Sequence, residues 1–205
     1  MTEQQQPSKA ETFIMTISFE RTLMRDGRAL LALPAPEEHL GRVLVACASL
    51  MFATALEQGI RKRLIIASRG GVPEDAPKTM QTRAQRMLTR PFRDRMLDLP
   101  KLLSYSQYRL KWPSPHVQAL HELVTLRNAL CHVSEEYLAF TQDESTLPNP
   151  FLQRLMSKME GLYIWAEVTR TDADRFEQAV DQYLEDIVNH PPTMVLTSSD
   201  LLVHT

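Results

Sequence analysis

The stretch 119-ALHELVTLRNALCHVSEEYLAF-140 contains neither Pro nor Gly, and its apolar residues recur at helical spacing. At about 100° per residue, one narrow stripe should face a core. That stripe consists of Leu123, Leu126, Leu130, Val133 and Tyr137. The opposite side carries His121, Thr125, Asn128, His132 and Glu135, with Arg127 and Cys131 at one edge. Because Arg, Asn and His bind phosphate and move protons, this side is either a functional site or a solvated polar surface.

Within this helix, Arg127 is followed by the polar Asn128, three further residues and His132. The pattern resembles the R-x4-6-H signature of the HEPN (higher eukaryotes and prokaryotes nucleotide-binding) superfamily, over roughly residues 36–190. The resemblance implies an all-α domain, and many members are metal-independent RNA endonucleases, although others have no nuclease activity. Some members that act as toxins carry a Tyr two residues after the His, which a partner enzyme modifies. Ser134 stands at that position here, so this form of regulation is not expected.

The separation of Arg127 from His132 bears on how a site would be built. Five residues correspond to about 140° around a regular helix, so the two side chains diverge and one copy makes an incomplete site. Two copies related by a two-fold axis would bring both pairs into one cleft, and the resemblance implies such a homodimer. His132 would then serve as general base or acid, Arg127 would hold the scissile phosphate, and Asn128 would orient either the phosphate or the His ring. No metal and no cofactor is expected.

A second long helix is predicted from Pro36 to about Ser68, ending at Gly70-Gly71. One set of its residues follows helical spacing: Leu40, Val43, Leu44, Cys47, Leu50, Met51 and Thr54. Residues between them, such as Ala48 and Phe52, are also apolar, so the helix should be buried on several sides, one of them against another protomer. The most apolar run, Val43 to Leu56, predicts a buried core helix and is too short to span a membrane.

The end of this helix carries Glu57 and Arg61, followed by Lys62 and Arg63. The pattern resembles the E-x3-K-R element of part of the HEPN superfamily, with the order of Lys and Arg reversed. The resemblance makes Glu57 and Arg61 candidates for RNA binding. The alternative is an ordinary ion pair between residues i and i+4 at a helix end.

Charge is unevenly distributed, although the net charge is only −2. From Arg61 to Lys111 there are 13 Lys and Arg against 4 Asp and Glu, and from Val133 onward the numbers are 4 and 13. Either the chain has one electropositive face or the two segments pair with each other. In a helix predicted at about 78–90, Arg83, Arg86 and Arg90 lie on one face and are candidates for RNA binding. They could equally be a solvated stripe, or pair with the acidic last helix.

The remaining chain completes an all-α prediction of four to five helices with a short N-terminal arm. Residues 1–35 should form the arm, 36–190 the domain and 191–205 a tail without a clear prediction. In the arm, alternation from Phe13 to Phe19 indicates a short strand or, alternatively, a short helix. Short helices and connections are expected over 91–114, and longer helices over 150–168 and 172–189. The last helix should bury Phe176, Val180, Tyr183, Leu184 and Ile187, and Thr171-x-x-Asp174 resembles its capping box.

Composition limits the compartment and the partners. The 205 residues suit one domain, and two Cys support neither a disulfide framework nor a zinc site. The polar, Gln-rich start is unlike a signal peptide, so a cytoplasmic protein without a membrane partner is expected. The resemblance adds RNA, a second copy and, if a toxin or defence role applies, an antitoxin or regulatory protein. Two alternatives stay open: a non-catalytic module for RNA or nucleotides, and a helical interaction protein without a site.

Overall fold

The computed structural model describes residues 19–70, 77–137, 168–189 and 201–204. Over these residues the chain is mostly helical, which confirms the predicted all-α class. The helices are α1 Phe19–Ala32, α2 Glu38–Ser68, α3 Lys78–Met87, α4 Phe92–Leu103, α5 Pro115–Tyr137 and α6 Arg170–Tyr183, which continues as a π-helical turn, Leu184–Asn189. Two short strands, β1 Tyr108–Leu110 and β2 Leu202–His204, pair antiparallel. The helix predicted at 150–168 lies outside the described residues.

Helix α2 is the centre of the described structure, and the other helices and the π-helical turn pack against it. Its core face is formed by fully buried Phe52, Leu56, Ile60 and Leu64. Gly59 permits close approach, because a Cβ at that position would overlap Leu184 of the π-helical turn. The small residue thus lets the end of α6 pack directly on the backbone of α2.

The core-facing side of α2 differs from the stripe that began at Leu40. Leu40 and Cys47 are exposed and Leu44 is half-buried, whereas Ala48 and Phe52 are fully buried. The stripe of large apolar residues is thus the less buried face in the described structure, and α1 packs on the side of Phe52, which lies against Gly27 of α1. Gly27 allows this approach, because a Cβ at its position would overlap the Phe52 ring.

By length and composition, α2 could also cross a bilayer. The stretch Leu40–Ser68 has 29 residues and reaches a mean hydropathy of 1.7, and 56% of its most apolar window is buried inside the protein. The expectation that the apolar run is too short for a membrane span considered only Val43–Leu56, and the whole helix passes the length requirement.

The described part of the N-terminal arm is helical. Of the alternation from Phe13 to Phe19 that suggested a strand, only Phe19 lies within the described residues; from Phe19 onward the arm is helical, in agreement with the alternative of a short helix. Met24, Gly27 and Leu31 are buried at helical spacing against α2. Glu20 is also buried and accepts a hydrogen bond from Lys62 of α2 at 2.7 Å. Burial of a helical stripe against α2 stabilises the helix over these described residues.

Helix α6 buries the five predicted residues Phe176, Val180, Tyr183, Leu184 and Ile187, counting its π-helical continuation. Its capping box, however, lies two residues earlier than predicted. The side chain of Thr169 accepts from the backbone N–H of Asp172, and Asp172 accepts from the backbone N–H of Thr169. Both Thr-x-x-Asp pairs satisfy the pattern, so local sequence could not choose between them.

The tail contributes to the core, which the sequence did not indicate. Leu201 is fully buried, and Tyr108, Arg109 and Leu110 pair with His204, Val203 and Leu202 respectively. Short helices and connections were expected over 91–114. Helix α4 agrees with that expectation, but the strand was missed. A three-residue strand has too little periodicity to recognise when its partner is distant in sequence.

Candidate functional site

Arg127 of α5 is held by a carboxylate on another helix. Its Nη2 donates a hydrogen bond to Oε2 of Glu57 on α2 at 2.9 Å. Its Nη1 donates to Oδ1 of the neighbouring Asn128 at 3.0 Å. Contacts at both terminal nitrogens fix the plane of the guanidinium group. The structure thus brings together three of the residues that the sequence singled out.

Arg95 of α4 binds the other oxygen of the same carboxylate. Its Nη2 lies 2.6 Å from Oε1 of Glu57. The guanidinium carbons of Arg95 and Arg127 each lie 5.9 Å from the centroid of the Phe92 ring. We refer to Glu57, Arg95 and Arg127 as the arginine–glutamate cluster. Two cations share one anion, so the cluster carries a surplus of one positive charge.

Partial burial strengthens the attraction of this surplus charge for an anion. The side chains of Glu57, Arg95 and Arg127 are 20%, 10% and 28% exposed, so solvent screens them less than surface charges. The Nε of Arg95 is buried and has no hydrogen-bond partner among the described residues. Guanidinium groups have five N–H donors each, more than one carboxylate can accept. The cluster is therefore suited to accept a further anion, such as a phosphate, at the open edge of Arg127.

His132 lies in α5, five residues after Arg127, as predicted. Its side chain, like those of Leu130, Val133 and Tyr137, is outside the described part of the structure. The Leu stripe of α5 is confirmed where it is described, because Leu123 and Leu126 are buried. The polar side of the helix, in contrast, remains partly exposed at His121 and Asn128.

Arg61 is not part of the cluster. The ion pair with Glu57 that helix spacing suggested does not form in the described structure, where Arg61 is exposed. Glu57 points between α4 and α5, and two planar guanidinium groups from those helices occupy both of its oxygens. Two charge-assisted hydrogen bonds in a partly buried setting are more favourable than one exposed pair along a helix.

Arg83 and Arg86 lie on α3, which ends at Met87 and not near residue 90 as predicted, and Arg90 follows that end; all three are exposed. They line a cleft of ≈ 340 Å³ together with Met87, Asp98, Lys101, Leu102 and Ser106. Arg90 donates to Asp98 at 2.6 Å and to Asp94 at 3.4 Å. The partners of Arg90 are thus on α4. The alternative that it pairs with the acidic last helix is not what the described structure shows.

The acidic face of α6 has described partners outside the basic segment. Arg28 of α1 binds both Glu177 and Asp181. Arg175, also on α6, binds Glu122 of α5. The partners in these ion pairs come from α1 and α5, not from α3. Arg83 and Arg86 therefore stay exposed beside the α3–α4 cleft.

Sequence reasoning singled out neither Arg95, a member of the arginine–glutamate cluster, nor Phe92, whose ring lies beside it. Phe92, Arg95, Met96 and Leu99 follow helical spacing, and all four are buried. A charged residue within an apolar stripe must find a partner, because an unpaired buried charge is costly. This departure from the pattern is the signal that would have identified Arg95.

The polar face of α5 begins at His121, beside an exposed indole. The rings of His121 and Trp112 meet edge to face, with centroids 4.9 Å apart and an interplanar angle of 69°. Burial, and then the positive charge of Arg93, lower the pKa of His121 from its ordinary 6.5. His121 and Thr125 also line a groove of ≈ 370 Å³ toward α6.

Within the described residues, no three His, Cys, Asp or Glu side chains are grouped as a metal site would require. Comparisons of the chain with protein-family models, with curated proteins and with solved structures found no match.

Proposed function

We propose that this chain is a HEPN-like RNA endonuclease that acts without a metal ion, with Arg127 and His132 of two protomers forming a composite site. The observation that supports it best is the arginine–glutamate cluster. It holds Arg127 in one orientation and leaves a surplus positive charge five residues before His132. Phosphodiester cleavage needs a pre-oriented cation and a group that accepts a proton, and His132 of a second copy would be that group.

The proposed reaction is a transesterification at RNA. The 2′-oxygen attacks the adjacent phosphorus, and its proton passes to a His132 ring. The bond from phosphorus to the 5′-oxygen breaks, and that oxygen takes a proton from the second His132. The products are a 2′,3′-cyclic phosphate and a 5′-hydroxyl. Arg127 stabilises charge on the phosphate, Asn128 orients Arg127 or the phosphate, and Glu57 and Arg95 position Arg127.

The composite site requires a homodimer. Arg127 and His132 diverge by about 140° on one helix, so a second copy must supply the missing partner. The large apolar residues of α2, from Leu40 to Met51, are the surface that we assign to this contact, because they are half-buried or exposed in the described structure. We also propose RNA as the substrate, the cytoplasm as the compartment, and an antitoxin or regulatory protein as partner if the enzyme belongs to a toxin or defence system.

One observation favours a second candidate, a non-catalytic module. The carboxylate of Glu57 already engages Arg127 and joins α2, α4 and α5, which is also how a purely structural ion pair would look. In that case the same surface would bind RNA or a nucleotide without cleaving it, or bind no ligand at all.

Cleavage of a mixed RNA pool in the presence of a chelator tests the proposal. The wild-type protein should produce 2′,3′-cyclic phosphate and 5′-hydroxyl ends. His132→Ala should abolish cleavage and leave RNA affinity nearly unchanged, whereas Arg127→Ala should reduce both, since a cation also binds the ground state. Circular dichroism of each variant reports whether the fold survives.

His116→Ala is the matched control, because His116 lies in the same helix and is half-buried. It should cleave like the wild type. If the wild type cuts no RNA at any pH but Arg127→Ala weakens RNA binding, the chain is a binding module. If His132→Ala or Arg127→Ala unfolds, the structural alternative is correct.

A further inference from the structure

Trp112 is an exposed aromatic residue in an otherwise polar setting. Its relative exposure is 60%, the same as that of Phe19 at the start of α1. Leaving an indole in water forgoes the free energy that burial of its large apolar surface would provide. Such a residue is often a contact point for a partner or ligand.

His121 supports the indole from one side. Because the two rings meet edge to face, His121 can cover at most one broad face of Trp112. The exposure of Trp112 shows that the remaining surface is open to solvent. Burial and Arg93 favour the neutral imidazole, so the support is an uncharged ring.

The surroundings of Trp112 are basic. Arg109 and Lys111, immediately before it, are exposed, and so is Arg93 of α4 near His121. Aromatic faces that stack bases, combined with cations that hold phosphates, are the general means of binding single-stranded nucleic acid.

His121, which contacts Trp112, connects it along α5 to the arginine–glutamate cluster. His121, Thr125 and Asn128 lie on one face of α5, since their spacing of four and three residues returns to the same side. Seven residues separate His121 from Asn128, which corresponds to about 10 Å along the helix. One bound strand could therefore contact Trp112 and Arg127 together.

We propose that Trp112, supported by His121, is a stacking platform for a nucleobase of single-stranded nucleic acid, and that it directs the strand along α5 toward Arg127. The inference rests on the proposed RNA-binding function and adds to it the site that receives a base. It requires no cleavage, so it can be tested apart from the chemistry.

The test uses a single-stranded 2′-deoxy oligonucleotide, which cannot undergo the transesterification. Its affinity is measured by fluorescence anisotropy for the wild type, Trp112→Ala, Trp112→Phe and Phe19→Ala. Trp112→Ala should weaken binding roughly five- to 150-fold, the range expected for the loss of one stacked base. Trp112→Phe should retain a larger part of the affinity, and Phe19→Ala, which removes an equally exposed aromatic, should bind like the wild type.

Intrinsic fluorescence gives an independent measurement. The chain contains only two Trp, Trp112 and Trp165, so Trp165→Phe leaves Trp112 as the sole reporter. Its emission should be quenched on addition of the oligonucleotide, and less so by one with abasic positions.

Unchanged affinity in Trp112→Ala would overturn the inference. A change in oligomeric state with unchanged affinity would make Trp112 a protein contact instead. If His132→Ala and the wild type are both inactive on RNA while Trp112 still governs oligonucleotide binding, the nuclease proposal fails and the platform stands. If RNA is cleaved equally well with Trp112→Ala, at equal KM, the platform fails and the nuclease proposal stands.

Discussion

Arg127 donates a hydrogen bond to Glu57 at 2.9 Å, across 70 positions of the sequence. Arg95, 38 positions after Glu57, donates to the other carboxylate oxygen. One half-buried carboxylate thus joins three helices, and its charge determines whether two neighbouring guanidinium groups are compensated. A substitution that removes only the charge of Glu57 therefore measures how much this charge contributes to stability.

Glu57→Gln should destabilise the fold. The amide keeps a hydrogen-bond acceptor but leaves the buried Arg95 and the half-buried Arg127 without an anion. We expect a loss of about 1–3 kcal/mol in the free energy of unfolding, below the value for fully buried pairs because all three side chains are partly exposed. Urea unfolding monitored by circular dichroism measures it. Glu38→Gln, which disrupts an exposed ion pair with Arg42, should change stability by less than about 0.5 kcal/mol. Equal effects at both positions would show that the cluster has no special role.

Tyr183→Phe tests a buried hydrogen bond between α6 and α4. The hydroxyl of fully buried Tyr183 donates to the carbonyl of Met96 at 2.7 Å. Its removal leaves that carbonyl without this partner and should cost about 1–3 kcal/mol. Tyr105→Phe, at an exposed position, is the control and should be nearly neutral.

The same tyrosine gives a pH dependence at high pH. Burial, and then the charge of Asp98, raise the pKa of Tyr183 well above its ordinary 10.0. In the unfolded chain the phenol loses its proton near pH 10, whereas in the folded chain it stays protonated. Stability should therefore fall as the pH rises above about 10, and this fall should be smaller in Tyr183→Phe. Parallel curves for both proteins would contradict the assignment.

His121 should contribute to acid sensitivity. Its pKa is lowered from 6.5 by burial and by Arg93, while the acids Glu122 and Asp172 line the same groove. The unfolded chain therefore binds a proton at a higher pH than the folded chain, so stability should fall as the pH drops below about 6.5. Arg93→Gln should raise the pKa of His121, which NMR titration of the imidazole protons measures. A downward shift would mean that Arg93 does not act on this ring.

The salt dependence of RNA binding should come from Arg83 and Arg86 more than from Arg90. The first two are exposed in the α3–α4 cleft, whereas Arg90 is engaged by Asp94 and Asp98. Removing one cation that binds a phosphate lowers the slope of log affinity against log salt by about 0.7 for a single strand, so Arg83→Gln with Arg86→Gln should lower it by about 1.4. Arg25→Gln, an exposed arginine on α1, should leave the slope unchanged. An unaltered slope in the double variant would show that Arg83 and Arg86 are solvated surface residues that do not contact RNA.

The proposed homodimer should depend on the apolar stripe of α2. Leu40→Glu places a charge at an exposed apolar position and should convert a dimer into a monomer with unchanged helicity, as light scattering at micromolar concentration would show. Leu33→Glu, at another exposed leucine outside the stripe, should remain dimeric. A monomeric wild type would remove the basis for a composite site.

Sequence alone was sufficient for the elements whose signal is local. Helical periodicity and the Gly70 stop gave α2 within two residues of its bounds, and periodicity gave the buried residues of α6. The polar composition of one side of α5 was also visible, because it depends only on spacing along one helix. Arg127, Asn128 and Glu57 could be selected as candidates for the same reason.

The tertiary structure decided which of these residues meet. Glu57 could have paired with Arg61 four positions away, but the packing of α4 and α5 on α2 placed Arg95 and Arg127 against it. It also decided which apolar side of α2 became the core and joined the tail to β1. Periodicity records which residues share a face, but the neighbour of that face depends on contacts between distant segments, which no local pattern encodes.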